Sequence, residues 1–429
     1  MGTWSPAEFV CPISMTRMQD PVTAPSGVTY ERGAIERWLA AGHTTCPVSG
    51  HGPLSLADLV PNLTLQRLIL SWKPSHAAPP PNPLAKLVQK VMATEDADVL
   101  REAAAMAAAD ARARRRMLQC QGVSLLPRVL RLLVSAGAGN VSTGSPTEKK
   151  NFFFFSAACL ALVDALGVSA DEIRPLLEAE PDVLSVGLVD ALTGVLLVTL
   201  EEEEKVTSAR QRAARLMESV TAAATRALLE LLRLHLRPDL FRALKTVLRD
   251  RDQGTTRAAL QTVLNLRAAR CDFRLAAESG FVHELIELIK IKLSAGNNGD
   301  GIGSGHGDAT MTRDLAMEVL SMVCGRSAEA RAAVAGHAAG IAAVARHVRA
   351  RGCSPAAVRV LASVCGSGAA PETVREMARV GAVGKLCCVL QSPECHPWTK
   401  EMATRVLRLH AEEWARSPCV RSDMLYRCL

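Results

Sequence analysis

Aromatic residues are scarce in this chain of 429 residues, since Phe, Trp and Tyr together make up 3%. This scarcity argues against an all-β sandwich, whereas the abundance of alanine and leucine favours close-packed helices. Long apolar runs are also missing. The longest, from 152 to 163, is ended by Asp164 and is shorter than the roughly 20 residues that span a bilayer. We therefore expect a soluble, folded protein without an integral membrane span.

Paired cysteine motifs are absent as well. The thirteen cysteines are an odd number and never form a Cys-x-x-Cys pair, which indicates neither a disulfide framework nor a zinc ribbon. The N-terminus lacks the charged segment and apolar run of a secretory signal. We therefore expect free thiols in a reducing compartment.

The charge is uneven along the chain. Residues 1–75 contain five basic and five acidic residues, so the net charge of +7 belongs to the remainder. A basic run from Arg112 to Arg116 suggests two interpretations: a solvated helix face, or a surface for nucleic acid or a membrane. No aromatic residues alternate with these arginines to stack on bases, so we expect no nucleic-acid partner.

A proline-rich stretch divides the chain. Its residues cannot continue a helix or join the interior of a sheet, so we predict an extended linker over 76–83 between a domain at 1–75 and a second at 84–429. In the first domain, two short apolar segments flank a Pro-Ser-Gly turn and are followed by helical spacing up to Gly42, which predicts a hairpin and a helix. A second helix begins at Asn62, with one face expected from Leu65, Leu68, Ile69 and Trp72.

The sequence of the second domain contains internal repeats. A phrase that usually begins with alanine recurs at Ala213, Leu260, Ala316, Ala357 and Ala403. A phrase that usually begins with glycine alternates with it at Gly187, Asp239, Gly280, Gly336 and Gly381. Periods in the forties with helical spacing are typical of armadillo or HEAT repeats, so we predict a right-handed α-solenoid with loop insertions near 136–150 and 294–310.

An ordered series of motifs fills the first domain. It consists of Phe9-Val10-Cys11-Pro12-Ile13-Ser14, Met18-Gln19-Asp20-Pro21-Val22, Gly27-Val28-Thr29-Tyr30-Glu31-Arg32, Ile35-Glu36-Arg37-Trp38-Leu39, Cys46-Pro47-Val48 and Pro61-Asn62-Leu63-Thr64-Leu65. This series resembles the U-box of ubiquitin ligases. With Cys, Met, Pro and Gly at positions 11, 18, 21 and 27, it is most similar to the CMPG type of plant U-box proteins, in which armadillo repeats follow the U-box.

The resemblance implies a small α+β domain that has the outline of a RING without its zinc ions. A RING needs eight Cys or His ligands, and residues 1–75 supply Cys11, His43, Cys46 and His51 alone. One zinc on these four is the alternative to core thiols and surface histidines. We expect no metal and no cofactor, and loops held by hydrogen bonds and salt bridges from Asp20, Glu31, Arg32 and Glu36.

In the family, two loops and the helix between them form an apolar groove for a ubiquitin-conjugating enzyme (E2). Carried over by motif, this groove comprises Ile13, Trp38 and Pro47, although all three could instead belong to the core. A semi-exposed tryptophan is a typical binding anchor, so we assign Trp38 to the contact. The other U-box positions are interpreted as structural: Cys11, Asp20, Pro21, Val22, Tyr30, Glu31, Arg32, Ile35 and Leu39.

The function implied is that of an E3 ubiquitin-protein ligase. It forms no covalent intermediate, because the ubiquitin-charged E2 carries the thioester and the ligase orients it. The resemblance implies a protein substrate on the armadillo groove, such as a receptor-like kinase or another signalling protein, a role in plant defence or stress, and a cytoplasmic location, with the nucleus or the plasma-membrane periphery as further sites. Two alternatives stay open: a non-catalytic armadillo adaptor with a degenerate U-box, and a solenoid that binds membranes or nucleic acid.

Overall fold

A computed structural model of the chain describes residues 6–72, 83–119, 125–137, 145–200, 203–235, 238–269, 271–290, 305–348 and 354–428. The chain divides into two compact units, Met1–Lys86 and Leu87–Leu429. The predicted linker lies outside the described residues except for Pro83, which begins a helix. Among the described helices, none combines the length and the apolar character needed to cross a bilayer.

A small antiparallel sheet and two helices form the first unit. The elements are β1 Pro21–Thr23, β2 Thr29–Glu31, α1 Arg32–Ala40, β3 Val60–Pro61 and α2 Leu63–Ser71, with strand order β2-β1-β3. Val22 pairs with Tyr30 across the hairpin. Gly27 allows the turn between β1 and β2, because its φ of 79° is a conformation that other residues rarely adopt. The predicted hairpin and the helix that follows it are confirmed.

The core of the first unit lies under the sheet and α1. Its buried residues are Cys11, Met18, Val22, Ala24, Tyr30, Ala34, Ile35, Cys46, Leu54, Leu59 and Ile69. Helix α2 begins as predicted, since the Asn62 side chain accepts a hydrogen bond from the Leu65 backbone N–H at 3.0 Å. The predicted apolar face of α2 is wrong at Leu68, which is 54% exposed. Leu65 and Ile69 fill the contact with the narrow sheet, which leaves the edge of the helix uncovered.

Helices make up most of the second unit, with α3 crossing the boundary between the units. Their bounds are α3 Pro83–Ala93, α4 Ala97–Ala109, α5 Ala111–Gln119, α6 Leu125–Gly137, α7 Pro146–Leu166, α8 Ala170–Ala179, α9 Gly187–Leu197, α10 Glu203–Ala223, α11 Arg226–His235, α12 Pro238–Asp250, α13 Gln253–Asn265, α14 Arg274–Glu278, α15 Phe281–Lys290, α16 Gly305–Arg326, α17 Ala328–Gly336, α18 Gly340–His347, α19 Pro355–Val364, α20 Pro371–Arg379, α21 Ala382–Gln391, α22 Pro397–Leu409, α23 Ala411–Ala415 and α24 Ser422–Cys428.

These helices stack in two ladders. The first ladder consists of α4, α7, α10, α13, α16, α19 and α22, each packed on the next. The second ladder consists of α6, α9, α12, α15, α18 and α21. Shorter helices such as α17 contact both ladders. Three helices per step is the armadillo arrangement, so the predicted α-solenoid is confirmed.

The two sequence phrases mark the two ladders. Every member of the first phrase lies on a first-ladder helix and is completely buried: Ala213, Leu260, Ala316, Ala357 and Ala403. Four members of the second phrase lie within one residue of the start of a second-ladder helix: Gly187, Asp239, Gly280 and Gly381. The fifth, Gly336, ends α17, four residues before α18 begins. Gly280 and Gly381 have φ values of 79° and 73°. Glycine is favoured at these two turns because it has no Cβ to clash there.

Both predicted loop insertions extend too far. Helix α6 continues to Gly137, and α7 already begins at Pro146, because Ser145 and Glu148 cap its first turn reciprocally. Helix α16 begins at Gly305, since growth from its packed end adds one hydrogen bond per residue and overrides the low helix propensity of glycine. Residues 138–144 and 291–304 of the two insertions lie outside the described residues.

The cysteines of the described ranges are free thiols, as expected. Six of them are buried in the solenoid: Cys159, Cys271, Cys324, Cys365, Cys387 and Cys395. Burial raises the pKa of the Cys159 and Cys365 thiols to about 12, so both stay protonated at neutral pH. Such thiols pack as small apolar groups and are not nucleophiles.

Candidate functional site

Two loops of the first unit have the same backbone design. In each, the N–H of a cysteine donates to the carbonyl five residues later, from Cys11 to Thr16 at 2.8 Å and from Cys46 to His51 at 2.8 Å. The residue four positions after the cysteine donates back to the cysteine carbonyl at 2.9 Å in both loops. This closure requires a left-handed residue, and the two residues that provide it are Met15 and Gly50, with φ values of 53° and 70°.

The first loop is fixed by an acidic side chain from the sheet. The Glu31 carboxylate accepts hydrogen bonds from the backbone N–H groups of Gln19 at 2.7 Å and Asp20 at 3.1 Å. The Glu31 N–H in turn donates to Cys11 Sγ at 3.2 Å. Arg32 pairs with Asp20 at 2.6 Å, with both side chains partly exposed. These contacts connect the loop to the start of α1.

The second loop is fixed by hydroxyl groups around a buried thiol. Tyr30 Oη lies 2.9 Å and Ser26 Oγ lies 3.1 Å from Cys46 Sγ. Burial by itself would raise the pKa of the Cys46 thiol, but the hydrogen bonds from Ser26, Ser49 and Tyr30 outweigh it and lower the pKa to about 6. Burial and the neighbouring Cys46 raise the pKa of Tyr30. Tyr30 therefore stays protonated and can donate to the sulfur.

Trp38 connects α1 to the second loop. Its indole Nε1–H donates to the Thr45 carbonyl at 3.0 Å, and its ring stacks on His43 with centroids 4.0 Å apart. The side chain is half-buried and packs against the core of the first unit. Trp38 therefore holds the second loop in place and also contributes to the surface.

The three residues predicted to form the E2 groove share one environment. Ile13, Trp38 and Pro47 are all half-buried, and each lies on one of the two loops or on α1. The residues predicted as core, Cys11 and Val22, are completely buried. The remaining structural positions divide in two. Pro21, Tyr30 and Ile35 are buried, whereas Asp20, Glu31, Arg32 and Leu39 are half-buried.

Two further apolar side chains on the same loops were not predicted from the sequence. Met15 is 75% exposed in the first loop, and Val48 is 59% exposed in the second. The available signal was an apolar residue within each otherwise polar turn. The backbone of Met15 is strained, because a residue with a side chain rarely adopts a positive φ. Gly50 occupies the equivalent position of the second loop without this strain, since it has no side chain.

The four residues considered for zinc are engaged elsewhere. Cys11 and Cys46 accept the hydrogen bonds described above, and His43 stacks on Trp38. Nδ1 of His51 lies 3.1 Å from the Ser49 carbonyl oxygen. Among the described residues, the His, Cys, Asp and Glu side chains that gather as a possible metal site are His283, Glu287 and His337, with ligand atoms within 4.8 Å of one another.

This cluster in the solenoid is better explained as a hydrogen-bond network. Nδ1 of His337 accepts from the Ala339 N–H at 3.1 Å, so the ring proton lies on Nε2 and is donated to Glu287 at 3.1 Å. Lys290 Nζ also lies 2.6 Å from the same carboxylate oxygen. This tautomer leaves no lone pair of His337 for a metal, and the ammonium group repels a cation.

Comparison with known families covers both units. Residues 5–78 match the family model of the U-box domain, and residues 84–429 match that of the plant U-box protein ARM repeat region. The chain belongs to the plant U-box proteins with armadillo repeats.

Some relatives of this U-box protein match it over nearly its whole length, and others match a short part of it. E3 ubiquitin-protein ligase PUB23 of Arabidopsis thaliana is 31% identical over 99% of this chain and 97% of its own length. E3 ubiquitin-protein ligase PUB22 of the same plant is 30% identical over 98% and 97%. U-box domain-containing protein 25, also from Arabidopsis thaliana, is 52% identical over 17% of each chain. An E3 ubiquitin-protein ligase that works with an E2 is therefore supported over a non-catalytic adaptor.

Proposed function

We propose that an E2 docks on Ile13, Trp38 and Pro47 of the U-box and that its ubiquitin passes to lysines of a protein held by the solenoid. The observation that carries this proposal is the pair of equivalent loops flanking α1, each with an apolar residue that is half-buried. Partly exposed apolar side chains on a rigid frame are suited to a small binding surface, because little side-chain entropy is lost on contact.

The U-box contributes orientation to the reaction and no covalent step. The thioester bond is on the E2, and the attacking amine comes from the substrate, so the ligase accelerates transfer by holding the two in a reactive geometry. Cys46 is not a nucleophile despite its lowered pKa, because it is 3% exposed and surrounded by its hydrogen-bond donors. Its task is to keep the second loop in one conformation.

Met15 and Val48 extend the proposed contact beyond the three predicted residues. Both are exposed and lie two residues and one residue after Ile13 and Pro47, respectively. A methionine at positive φ costs of order 1 kcal/mol or more relative to glycine. We infer that the side chain is kept at this position because it contacts the E2.

The substrate is proposed to be a signalling protein such as a receptor-like kinase, in plant defence or stress responses. The cytoplasm is the proposed location, with the nucleus and the plasma-membrane periphery as further sites. Family membership supports these proposals, together with the uninterrupted stack of first-ladder helices, which offers a long surface to an extended partner.

A comparison of a fragment with the full chain tests whether the U-box promotes chain formation and the solenoid binds the substrate. The fragment 1–83 is expected to build ubiquitin chains with activating enzyme and a panel of E2s, because the U-box has its own core. Only the full chain is expected to capture and modify a native substrate found by proximity labelling. An unfolded fragment by circular dichroism, or a fragment that still captures this substrate, would contradict the proposal.

A further inference from the structure

An open cleft of about 690 Å³ lies on the first ladder, between α4 and α10. Helix α7 forms its floor, where Ala157, Ala158 and Ala161 bring no long side chains. Phe153 and Phe154 close one end of the floor, and Phe154 is half-buried. Because the floor consists of small and aromatic groups, the cleft can accept one or a few apolar side chains of a partner.

Cations dominate the rim of this cleft. Arg101 of α4 stands on one side, and Lys205 and Arg212 of α10 stand on the other, against one lining carboxylate, Glu204. Lys150 adds a further cation, since its Nζ and that of Lys205 lie 5.8 and 5.7 Å from the centroid of the Phe154 ring. An apolar floor beneath a mainly positive rim is complementary to an apolar side chain between acidic groups.

Intramolecular ion pairs reduce this positive charge but do not cancel it. Arg101 pairs with Asp98, which is 84% exposed, and Arg212 lies 3.5 Å from Asp164. Asp164 is shared, because Arg215 also lies 3.5 Å from it. Exposed pairs of this kind are weak, at about 0–1 kcal/mol, so both arginines can exchange partners for an incoming carboxylate.

We infer that this cleft binds an anionic peptide segment of the substrate, with an apolar residue on the alanine floor and flanking acidic or phosphorylated residues on Arg101, Lys205 and Arg212. The inference rests on the proposed function, since it names the chemistry by which the solenoid recognises its substrate. A nucleic acid fits less well, because Glu204 lines the cleft and both lysines already lie over the Phe154 ring, the one partly exposed aromatic side chain in the lining.

Fluorescence anisotropy on the full chain tests the inference with four labelled peptides. Each carries one leucine, flanked on both sides by glutamate, phosphoserine, glutamine or lysine. We expect the glutamate and phosphoserine peptides to bind, more weakly as salt is raised, and the glutamine and lysine peptides not to bind. Whichever of the two anionic peptides binds more tightly shows whether the cleft prefers carboxylate or phosphate groups. Equal binding of the glutamine or lysine peptide would overturn the inference, as would preferential binding of single-stranded RNA.

Charge reversal locates the site. The double variant Arg101→Glu/Lys205→Glu is expected to weaken binding of the glutamate peptide by about tenfold or more. The matched control is Arg242→Glu/Arg375→Glu, which makes the same charge change at exposed arginines on α12 and α20 that also form ion pairs three residues apart. The control is expected to bind within about twofold of the parent protein. Equal weakening in both variants would mean that only the net charge matters and would overturn the cleft assignment.

A neutral variant tests the floor separately. Ala161→Phe places a ring in the open cleft and leaves every charge in place, so we expect a loss of peptide binding that is as large as that of the charge reversal. Unchanged binding would overturn the role of the floor. Self-ubiquitination by the same preparations should be unaffected, because it depends on the U-box. Failure of the parent protein to build chains would contradict the proposed function, whereas intact chains without peptide binding would contradict this inference alone.

Discussion

The U-box and the solenoid are stabilised in different ways. The U-box has a core of eleven buried residues, and polar side chains such as Glu31 and Tyr30 complete its structure by fixing two loops. A core of this size rarely contributes more than about 3–5 kcal/mol, so each loop contact matters. The solenoid buries an apolar stripe of nearly every helix against its neighbours, and its stability accumulates from repeat to repeat.

The surfaces of the two units also differ in how many large hydrophobic side chains they expose. Among the described residues, the exposed large hydrophobic side chains of the first unit are Met15, Val48, Leu56, Val60, Leu63, Leu68 and Leu70, and those of the much longer second unit are Met311, Trp398, Leu409 and Tyr426. A small domain cannot cover all its apolar surface. In the proposed contacts, the U-box uses exposed apolar residues, whereas the cleft of the solenoid uses a charged rim around a floor of small side chains.

The largest expected effect is on the U-box surface. Trp38→Ala should abolish self-ubiquitination, because loss of a central anchor typically costs about 2 kcal/mol or more in a weak complex. Chain formation with a panel of E2s measures this effect. Tyr426→Ala, which removes an aromatic residue that is 65% exposed in the solenoid, is the matched control and should keep full activity.

A second groove variant separates contact from loop support. Trp38 also donates to the Thr45 carbonyl, so Ile13→Ala is needed as a groove variant that leaves this hydrogen bond intact. We expect Ile13→Ala to reduce activity strongly and to lower the unfolding temperature only modestly, because Ile13 is half-buried against the core. Activity close to that of the parent protein in both variants would show that the E2 groove is assigned wrongly.

A change in the solenoid core should affect stability and spare the chemistry. Phe241 is 1% exposed on α12, with its ring near those of Phe273 and Phe281. Phe241→Ala should lower the free energy of unfolding of the solenoid by about 3–5 kcal/mol through the cavity it leaves. Calorimetry of the full chain measures this loss, and Phe154→Ala, at a half-buried position, should cost less. Loss of U-box activity in parallel would mean that the two units do not fold independently.

A change in the polar network of the U-box should have a smaller effect. Glu31→Ala leaves the N–H groups of Gln19 and Asp20 without their acceptor, so we expect the free energy of unfolding of fragment 1–83 to fall by about 1–3 kcal/mol. Asp20→Asn removes the charge of a partly exposed pair and should cost under about 1 kcal/mol. Denaturant unfolding checks both values, and the reverse order would contradict the role given to Glu31.

A further expected effect is a pH dependence of the U-box. The Cys46 pKa is lowered from 9.0 to about 6 in the folded state. A group with a lowered folded pKa contributes stability that is complete above its unfolded pKa and is lost as the pH falls through its folded pKa. The unfolding temperature of fragment 1–83 should therefore fall as the pH is lowered from 9.0 to about 6. Cys46→Ser should flatten this slope, and an unchanged slope would mean that Cys46 is a thiol throughout.

The sequence by itself determined the fold class and the order of the elements. Hairpin and helix spacing in residues 21–40 and the two repeating phrases of the solenoid depend on local periodicity, which a single sequence displays. The phrases marked the ladders because each repeat must bury the same small or apolar residue against its neighbour. Family motifs supplied the groove residues Ile13, Trp38 and Pro47, whose role in binding stays a prediction.

The tertiary structure decided everything that depends on residues far apart in the chain. The sequence could not show that Glu31 caps the backbone of the first loop, that Tyr30 and Ser26 surround Cys46, or that Leu68 lies outside the core. It also could not show the cleft, because Arg101 and Arg212 come together only when α4, α7 and α10 stack. Helical periodicity tells which face of a helix is apolar, whereas packing decides which neighbour covers that face and which part of it stays open to a partner.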